Sequence, residues 1–393
     1  MSPPVSYFPL VIVGGGLAGA LAALAISHGR PDLPILLLEA GDKFGGNHTW
    51  SFFDSDTSAD SRYWVDALQP WRSPIHRVSF PSYERTIRQG YNSVESARLD
   101  TLVRERLAPD CWRCNCKVVN IEAGRVILAG GEVIRAAAVI DARGPERAMS
   151  GLELGWQKFV GIEYSGSQAK ADSATIMDGK VEQIDGYRFI YTLPLAADRV
   201  LVEDTYYSDG PELDVDLLAS RVRAAAAAQG IGGQELRREH GVLPIVIDGH
   251  PDVFWPKTDP IARLGIRGGF FHPTTGYSFA LALRLALELA RQRDLSAPAI
   301  ATWSRQQFCA HWRDSSYYRL LNRMMFRAAS PAERRRIFER FYRLPEPLIA
   351  RFYSGDLTLF DKARLVAGRP PVPFIAAVRA ACQPFRLPAW TGS

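Results

Sequence analysis

Two adjacent acids, Glu203 and Asp204, stand inside the strand-like run RVLVEDTYY at 199–207. Carboxylates are seldom buried without a partner or a task. Neighbouring side chains on a strand point to opposite faces, so a single cavity takes only one of the two. Arg199, Leu201, Glu203 and Thr205 share one face; Val200, Val202, Asp204 and Tyr206 share the other. An acid buried in an apolar pocket has its pKa raised and can donate a proton near neutral pH. The bland alternative for Glu203 is a surface carboxylate paired with Arg199, and for Asp204 a structural contact to a turn or an arginine. The preceding segment, DGYRFIYTLPL, puts Tyr187, Phe189 and Tyr191 on one strand face. A short AADR turn then joins the two strands into an antiparallel hairpin.

A second constellation lies at the N-terminal end. PLVIVGGGLAGALAALAI begins as an apolar strand, breaks at glycines and continues as an apolar helix. Gly14, Gly16 and Gly19 fit G-x-G-x-x-G: the first permits the turn, the second lets a pyrophosphate approach the backbone, the third lets helix pack on strand. The phosphates then meet free N–H groups at a helix N-terminus. A second apolar strand, PILLLEA, ends in Glu39, placed to accept ribose hydroxyls. Gly45 and Gly46 follow in an E-x5-G-G pattern that resembles FAD-dependent oxidoreductases. AAAVIDARGP, with Asp141 and Gly144, is similar to the late strand that returns to the flavin domain in such proteins. In RLGIRGGFFHPTTGYSFALAL, a glycine turn precedes a long apolar helix. The stretch from Gly276 would set a helix N-terminus near the flavin ring, where its dipole favours an anionic reduced flavin. In flavoprotein hydroxylases this turn usually carries G-D; here Phe270 follows Gly268 and Gly269, a departure that weighs against a hydroxylase.

Taken together, GGNHTWSFF (45–53), DGYRFIYTLPLAADRVLVEDTYY (185–207), REHGVLPI (238–245) and GGFFHPTTGYSFALAL (268–283) resemble the bacterial lycopene β-cyclases, in order and across nearly the whole chain. The resemblance implies conversion of the acyclic ψ-ends of lycopene, and of related ψ-end carotenoids, into β-ionone rings. It implies reduced FAD as cofactor and NAD(P)H only as the reductant of the flavin. It makes Glu203 the catalytic acid. The strand face of Tyr187, Phe189 and Tyr191 reads either as a substrate wall, where aromatic faces would stabilise a cation, or as ordinary packing of the sheet. His272 is expected to line the same site in a positioning role, and Asp204 is given a secondary role. Arg98, in SARLD, resembles an arginine near the flavin of related hydroxylases, and Pro273 and Thr275 fall in the flavin turn. His48 and His240 also lie in matching segments. Alternatives are a redox flavoenzyme of similar build, such as an aromatic hydroxylase or prenyl reductase, or a flavin- or isoprenoid-binding protein without turnover.

The fold expected is α/β: a Rossmann-like FAD-binding domain of the glutathione reductase or hydroxylase kind, an inserted mixed-sheet substrate domain and a C-terminal helical region. The expected boundaries are 1–50, 85–150 and 240–300 for the FAD domain, 51–84 and 151–239 for the substrate domain, and 301–393 for the helices. With 47 basic and 42 acidic residues among 393, the charge surplus is too small to argue for nucleic acid. Cys111, Cys114 and Cys116 lack a second ligand pair, so no metal site is expected and reduced thiols are the better reading. The N-terminal MSPPVSYFPL has no positive n-region of a secretion signal. Ile337, Phe338, Phe341 and Leu344 recur at helical spacing with Arg335, Arg336, Arg340 and Arg343 between them. Such a surface can lie in a bilayer interface or cap the flavin domain. A substrate that partitions into lipid favours a cytoplasmic protein held peripherally at the inner face of the cell membrane.

Overall fold

The computed structural model describes residues 6–145, 149–166, 173–368, 374–383 and 385. The first apolar run forms the strand Ser6–Val13, which pairs in parallel with Ile35–Leu38 on one side and Val133–Asp141 on the other. Helices cover such sheets, so their strands read as unbroken apolar runs. Trp112–Arg113 and Ala262–Arg263 extend the parallel part, and Val118–Glu122 and Arg125–Leu128 add an antiparallel meander to complete seven strands. The helix Leu17–Gly29 is buried from Leu17 to Ile26, because it lies between this sheet and the helices Ser96–Arg106 and Phe279–Ala290. Its close seating needs Gly19, where a Cβ would stand 2.0 Å from Gly14 O.

A second seven-stranded sheet runs Gln234–Gly249, Leu152–Ser165, Arg199–Ser208, Tyr187–Ala196, Ala174–Asp178, His76–Phe80, Tyr83–Ile87. The hairpin read from the sequence sits at its centre, and the helix Val215–Ala228 covers one face through Val160, Ile162, Val200, Val202 and Leu218. Thr49–Phe53, Tyr91–Glu95 and Trp71–Ser73 form a small sheet between the two large ones. Two expected boundaries shift. Residue 240 falls inside a strand whose ladder with Leu152–Ser165 continues to Gly249, and residue 85 falls inside Tyr83–Ile87, which pairs with His76–Phe80.

Helices follow from Ala297–Asp314 onward, including Arg334–Phe341 and Glu346–Ser354. The apolar face at Ile337, Phe338, Phe341 and Leu344 packs inward, against the cluster of Tyr187, Phe189 and Tyr207 under the second sheet. The expectation that this face meets lipid therefore fails. Its arginine neighbours are tied down as well: Arg343 pairs with Glu339 (2.8 Å), and buried Arg334 donates to Tyr207 O (3.1 Å). Among the described residues, the strongly exposed apolar side chains of the C-terminal region are Leu359 (85 %), Phe360 (77 %) and Ile375 (75 %).

Candidate active site

Glu203 projects from the sheet face opposite the covering helix, into a cavity of about 140 Å³ between the second sheet and the domain of the first. His48, Thr49 and Trp50 enter from the Gly45–Gly46 turn, Tyr91 from the small sheet, Tyr191 from the hairpin, and Thr275 to Ser278 from the second glycine turn. Tyr191 lies directly opposite Glu203 in the hairpin register, as Phe189 does opposite Thr205 and Tyr187 opposite Tyr207. Tyr277 OH stands 3.0 Å from Tyr91 OH and 3.4 Å from Tyr191 OH, closing the wall with a tyrosine cluster.

Burial pushes the Glu203 carboxyl up, the neighbouring Glu239 carboxylate adds to it, and together they bring it to about 8. It accepts a hydrogen bond from Thr205 Oγ1 (2.5 Å). Arg199, the candidate partner in the bland reading, binds Glu95 (2.9 Å) and Glu163 (2.7 Å) instead. Asp204, one residue on, is fully buried on the other face, where it accepts from Arg188 Nε (2.8 Å) and Tyr206 OH (2.8 Å). It does not reach the cavity, so its expected secondary catalytic role has no geometry behind it.

Of the expected substrate wall, Tyr191 lines the cavity; Tyr187 and Phe189 instead stack on each other and into the core with Phe338. His272 is also displaced from that role. Its Nδ1 accepts the N–H groups of Thr274 (3.3 Å) and Thr275 (3.2 Å), and its Nε2–H donates to Phe352 O (3.0 Å). Burial lowers its pKa to about 3, so the neutral ring fastens the HPTTG turn. It faces a separate cleft of about 540 Å³.

The dinucleotide residues converge. Gly14 has φ +103°, and a Cβ there would strike Ala142 at 2.7 Å, beside Asp141 at the end of its strand. Gly45 N donates to Gly15 O (2.8 Å), joining the two glycine segments. Glu39 accepts from Gly15 N (2.7 Å) and Gly41 N (2.7 Å). Gly45 and Gly46 have φ of +76° and +64°, and Gly276 of +71°, all conformations that favour glycine. Gly16 caps the first helix without a side-chain bond, and a Cβ on it meets nothing within 4 Å, so this helix end is an open cradle for an anion. At the cavity wall Gln157 Oε1 is buried without a hydrogen-bond partner, an acceptor available to a bound ring. These features fit a flavin dinucleotide.

Three expected cofactor contacts look different. Asp141 is engaged by Arg143 (2.8 Å) and Arg267 (3.6 Å). Arg98 is exposed and donates to Gln69 (2.9 Å). Gly268 and Gly269 stand back from the cavity; Phe270, where hydroxylases carry an acid, is buried against Trp255.

A match to the family model described as lycopene cyclase protein covers residues 9–379. The chain belongs to the lycopene cyclase family. It is 42 % identical over 378 residues to a lycopene beta-cyclase of Pseudescherichia vulneris, covering 96 % of this chain and 97 % of the relative. To a lycopene beta-cyclase of Paracoccus it is 40 % identical, covering 96 % and 97 %. Among solved structures, a geranylgeranyl bacteriochlorophyll reductase-like protein from Thermoplasma acidophilum shares the fold with TM-score 0.62 at 14 % identity, covering 96 % of this chain and 98 % of that one. A probable FAD-dependent monooxygenase from Pseudomonas aeruginosa does so with TM-score 0.57 at 17 % identity, covering 86 % and 100 %. The fold of this lycopene cyclase family member is thus that of FAD-dependent reductases and monooxygenases.

The sequence reading missed Glu239, Trp50, Tyr91 and Tyr277. Glu239 sat unremarked in REHGVLPI. The signal that points to it is Gly161, a glycine in a strand interior, which marks a close approach.

Proposed function

We propose that this chain is a lycopene β-cyclase that closes ψ-ends into β-ionone rings by acid–base chemistry, giving β-carotene through γ-carotene with no net redox change. The observation that carries the reading is Glu203, a carboxyl held near pKa 8 by burial and a like-charged neighbour, facing a tyrosine-walled cavity. A proton passes from Glu203 to C2 of the terminal C1–C2 double bond, leaving a tertiary cation at C1. The C5–C6 double bond attacks C1, and loss of the C6 proton back to the carboxylate completes the ring. An alkene is a very weak base, so the site must also stabilise the cation in a dry environment. Tyr91, Tyr191 and Tyr277 present aromatic faces and exclude water.

Gly14, Gly16, Gly19, Glu39, Gly45 and Gly46 would hold the dinucleotide, and the turn at Pro273, Thr275 and Gly276 the ring end. When bound and reduced, by NAD(P)H, the flavin supplies a negative charge beside the developing cation. An apolar crevice lined by Leu321, Met325, Phe338, Phe341 and Phe352 shares Thr275 with the cavity and suits the polyene chain of the substrate. No helix among the described residues is long and apolar enough to cross a membrane. Exposed Leu359, Phe360 and Ile375 support peripheral contact with lipid, where the substrate resides.

The reading is tested by supplying lycopene anaerobically with chemically reduced FAD and no nicotinamide, then separating the products by chromatography. Ring formation without consumption of reducing equivalents is expected. Dependence on oxygen, or stoichiometric oxidation of the nicotinamide, would establish a redox flavoenzyme instead.

A further inference from the structure

Glu203, Gly161 and Glu239 stand side by side on three adjacent antiparallel strands: Gly161 is the register partner of Glu203 on one side and of Glu239 on the other. Side chains in register project to the same face, and both glutamates line the same cavity. A Cβ on Gly161 would stand 3.1 Å from Glu239 Cγ and 3.6 Å from Glu203 Cβ, so a larger residue would come between the two carboxyls. Both are almost wholly buried.

We propose that Glu239 is the proton-sharing partner of Glu203: across the gap left by Gly161 the two carboxyls hold one proton, which resides on Glu203 while Glu239 remains the anion. Their surroundings decide which is which. Glu239 has a close ion pair with Arg237 and accepts from Thr49 Oγ1 (2.8 Å). Glu203 has Thr205 Oγ1. The wider network runs Glu95–Arg199–Glu163–Arg237–Glu239, so with Glu203 four carboxyls face the two guanidiniums of Arg199 and Arg237. A retained proton relieves that excess of negative charge, as in other buried carboxyl pairs. Among the described residues, nothing else lining the cavity adds positive charge. Burial lowers the pKa of His48, and it raises the hydroxyls of Tyr91, Tyr191 and Tyr277 above their usual range. Asp204 and Arg188 lie on the other face and pair with each other.

Glu239 thus acts through Glu203 as a positioning residue. When Glu203 gives its proton to C2, two carboxylates are left side by side facing the cation at C1. Their repulsion then draws the C6 proton back to Glu203, so one C–H bond forms, one breaks, the C1–C6 bond closes and no electron changes hands. This consequence rests on the cyclase reading, whereas proton sharing itself does not.

The test is pH-dependent infrared difference spectroscopy on the full chain with flavin bound, beside cyclisation rates from pH 5 to 9. A protonated-carboxyl band that titrates near pH 8 in the parent protein and is lost in Glu203→Gln is expected. In Glu239→Gln the band should persist but titrate at least a unit lower, a shift worth tenfold in the ratio of protonated to ionised carboxyl. Its cyclisation rate should fall at least about fivefold at pH 8 and change little, by under about twofold, at pH 6. Gly161→Ala, which wedges the carboxyls apart, should shift the band the same way and stands in if Glu239→Gln does not fold. An unmoved band in the folded variants, or a rate loss uniform across pH, overturns the proposal. Shifted bands in a protein that cyclises nothing, the parent included, uphold proton sharing and sink the cyclase reading.

Discussion

Glu203 and Asp204 are consecutive, both buried, and raised in pKa chiefly by burial, yet the two faces of their strand use them in opposite ways. On the Asp204 face the carboxylate meets Arg188, Tyr206 joins it, and Arg221 in turn donates to Tyr206 OH (3.0 Å). The remaining neighbours are aliphatic side chains under the helix Val215–Ala228. That face is a closed polar cluster inside a core. On the Glu203 face the charge that acts most strongly on the acid is another carboxyl, Glu239, and a cavity takes the place of a helix. A compensated charge is structure; an uncompensated one beside a cavity is poised to exchange a proton.

Four variants break or sharpen this contrast. The largest effect is expected for Glu203→Gln: cyclisation falls by roughly 10²–10⁴-fold, the usual range for losing a general acid, while flavin absorbance shows the cofactor still bound. Normal turnover in this variant would falsify the assignment. The same substitution changes stability with pH. The folded carboxyl, at about 8, keeps a proton that the unfolded chain sheds near the ordinary 4.5. Its contribution is therefore complete below pH 4.5 and is lost as pH rises through 8. Denaturant titrations from pH 5 to 9 should show a decline in the parent protein that is shallower in Glu203→Gln.

Asp204→Asn should do the reverse, lowering stability by roughly 3–5 kcal/mol because Arg188 is left buried without its counter-charge. Turnover per folded molecule, normalised by bound flavin, should stay within a few-fold of the parent. Replacing both members, Asp204→Asn with Arg188→Met, should recover part of the lost stability, since an apolar residue needs no buried partner; no recovery would show that the pair does more than compensate charge. The smallest effect belongs to Thr205→Val. Removing the hydroxyl that donates to Glu203 takes support from its ionised form, so the alkaline limb of the activity profile should move to higher pH, with at most a few-fold change in rate. A shift to lower pH would mean that Thr205 supports the protonated form.

Much of the fold was legible because its causes are local. Glycines at 14, 16 and 19 lie between an apolar strand and an apolar helix, and the alternation at 199–207 separates two faces whatever covers them. The amphipathic run at 334–344 was not resolved in the same way. Its spacing suits lipid or a protein core equally, and contact with Tyr187 and Tyr207 settles the question. His272 shows a similar limit. Its place in HPTTG is visible, but its hydrogen bond to Phe352, eighty residues away, is what makes it a fastener of the turn.

By itself the sequence determined the dinucleotide turn, the hairpin and the rule that Glu203 and Asp204 face apart, since each depends on residues within a few positions of one another. Tertiary structure alone decided which face holds the cavity and that Glu239 stands across Gly161 from Glu203. Strand register between residues 161, 203 and 239 is set by how whole strands bury their faces, and no spacing along the chain records it.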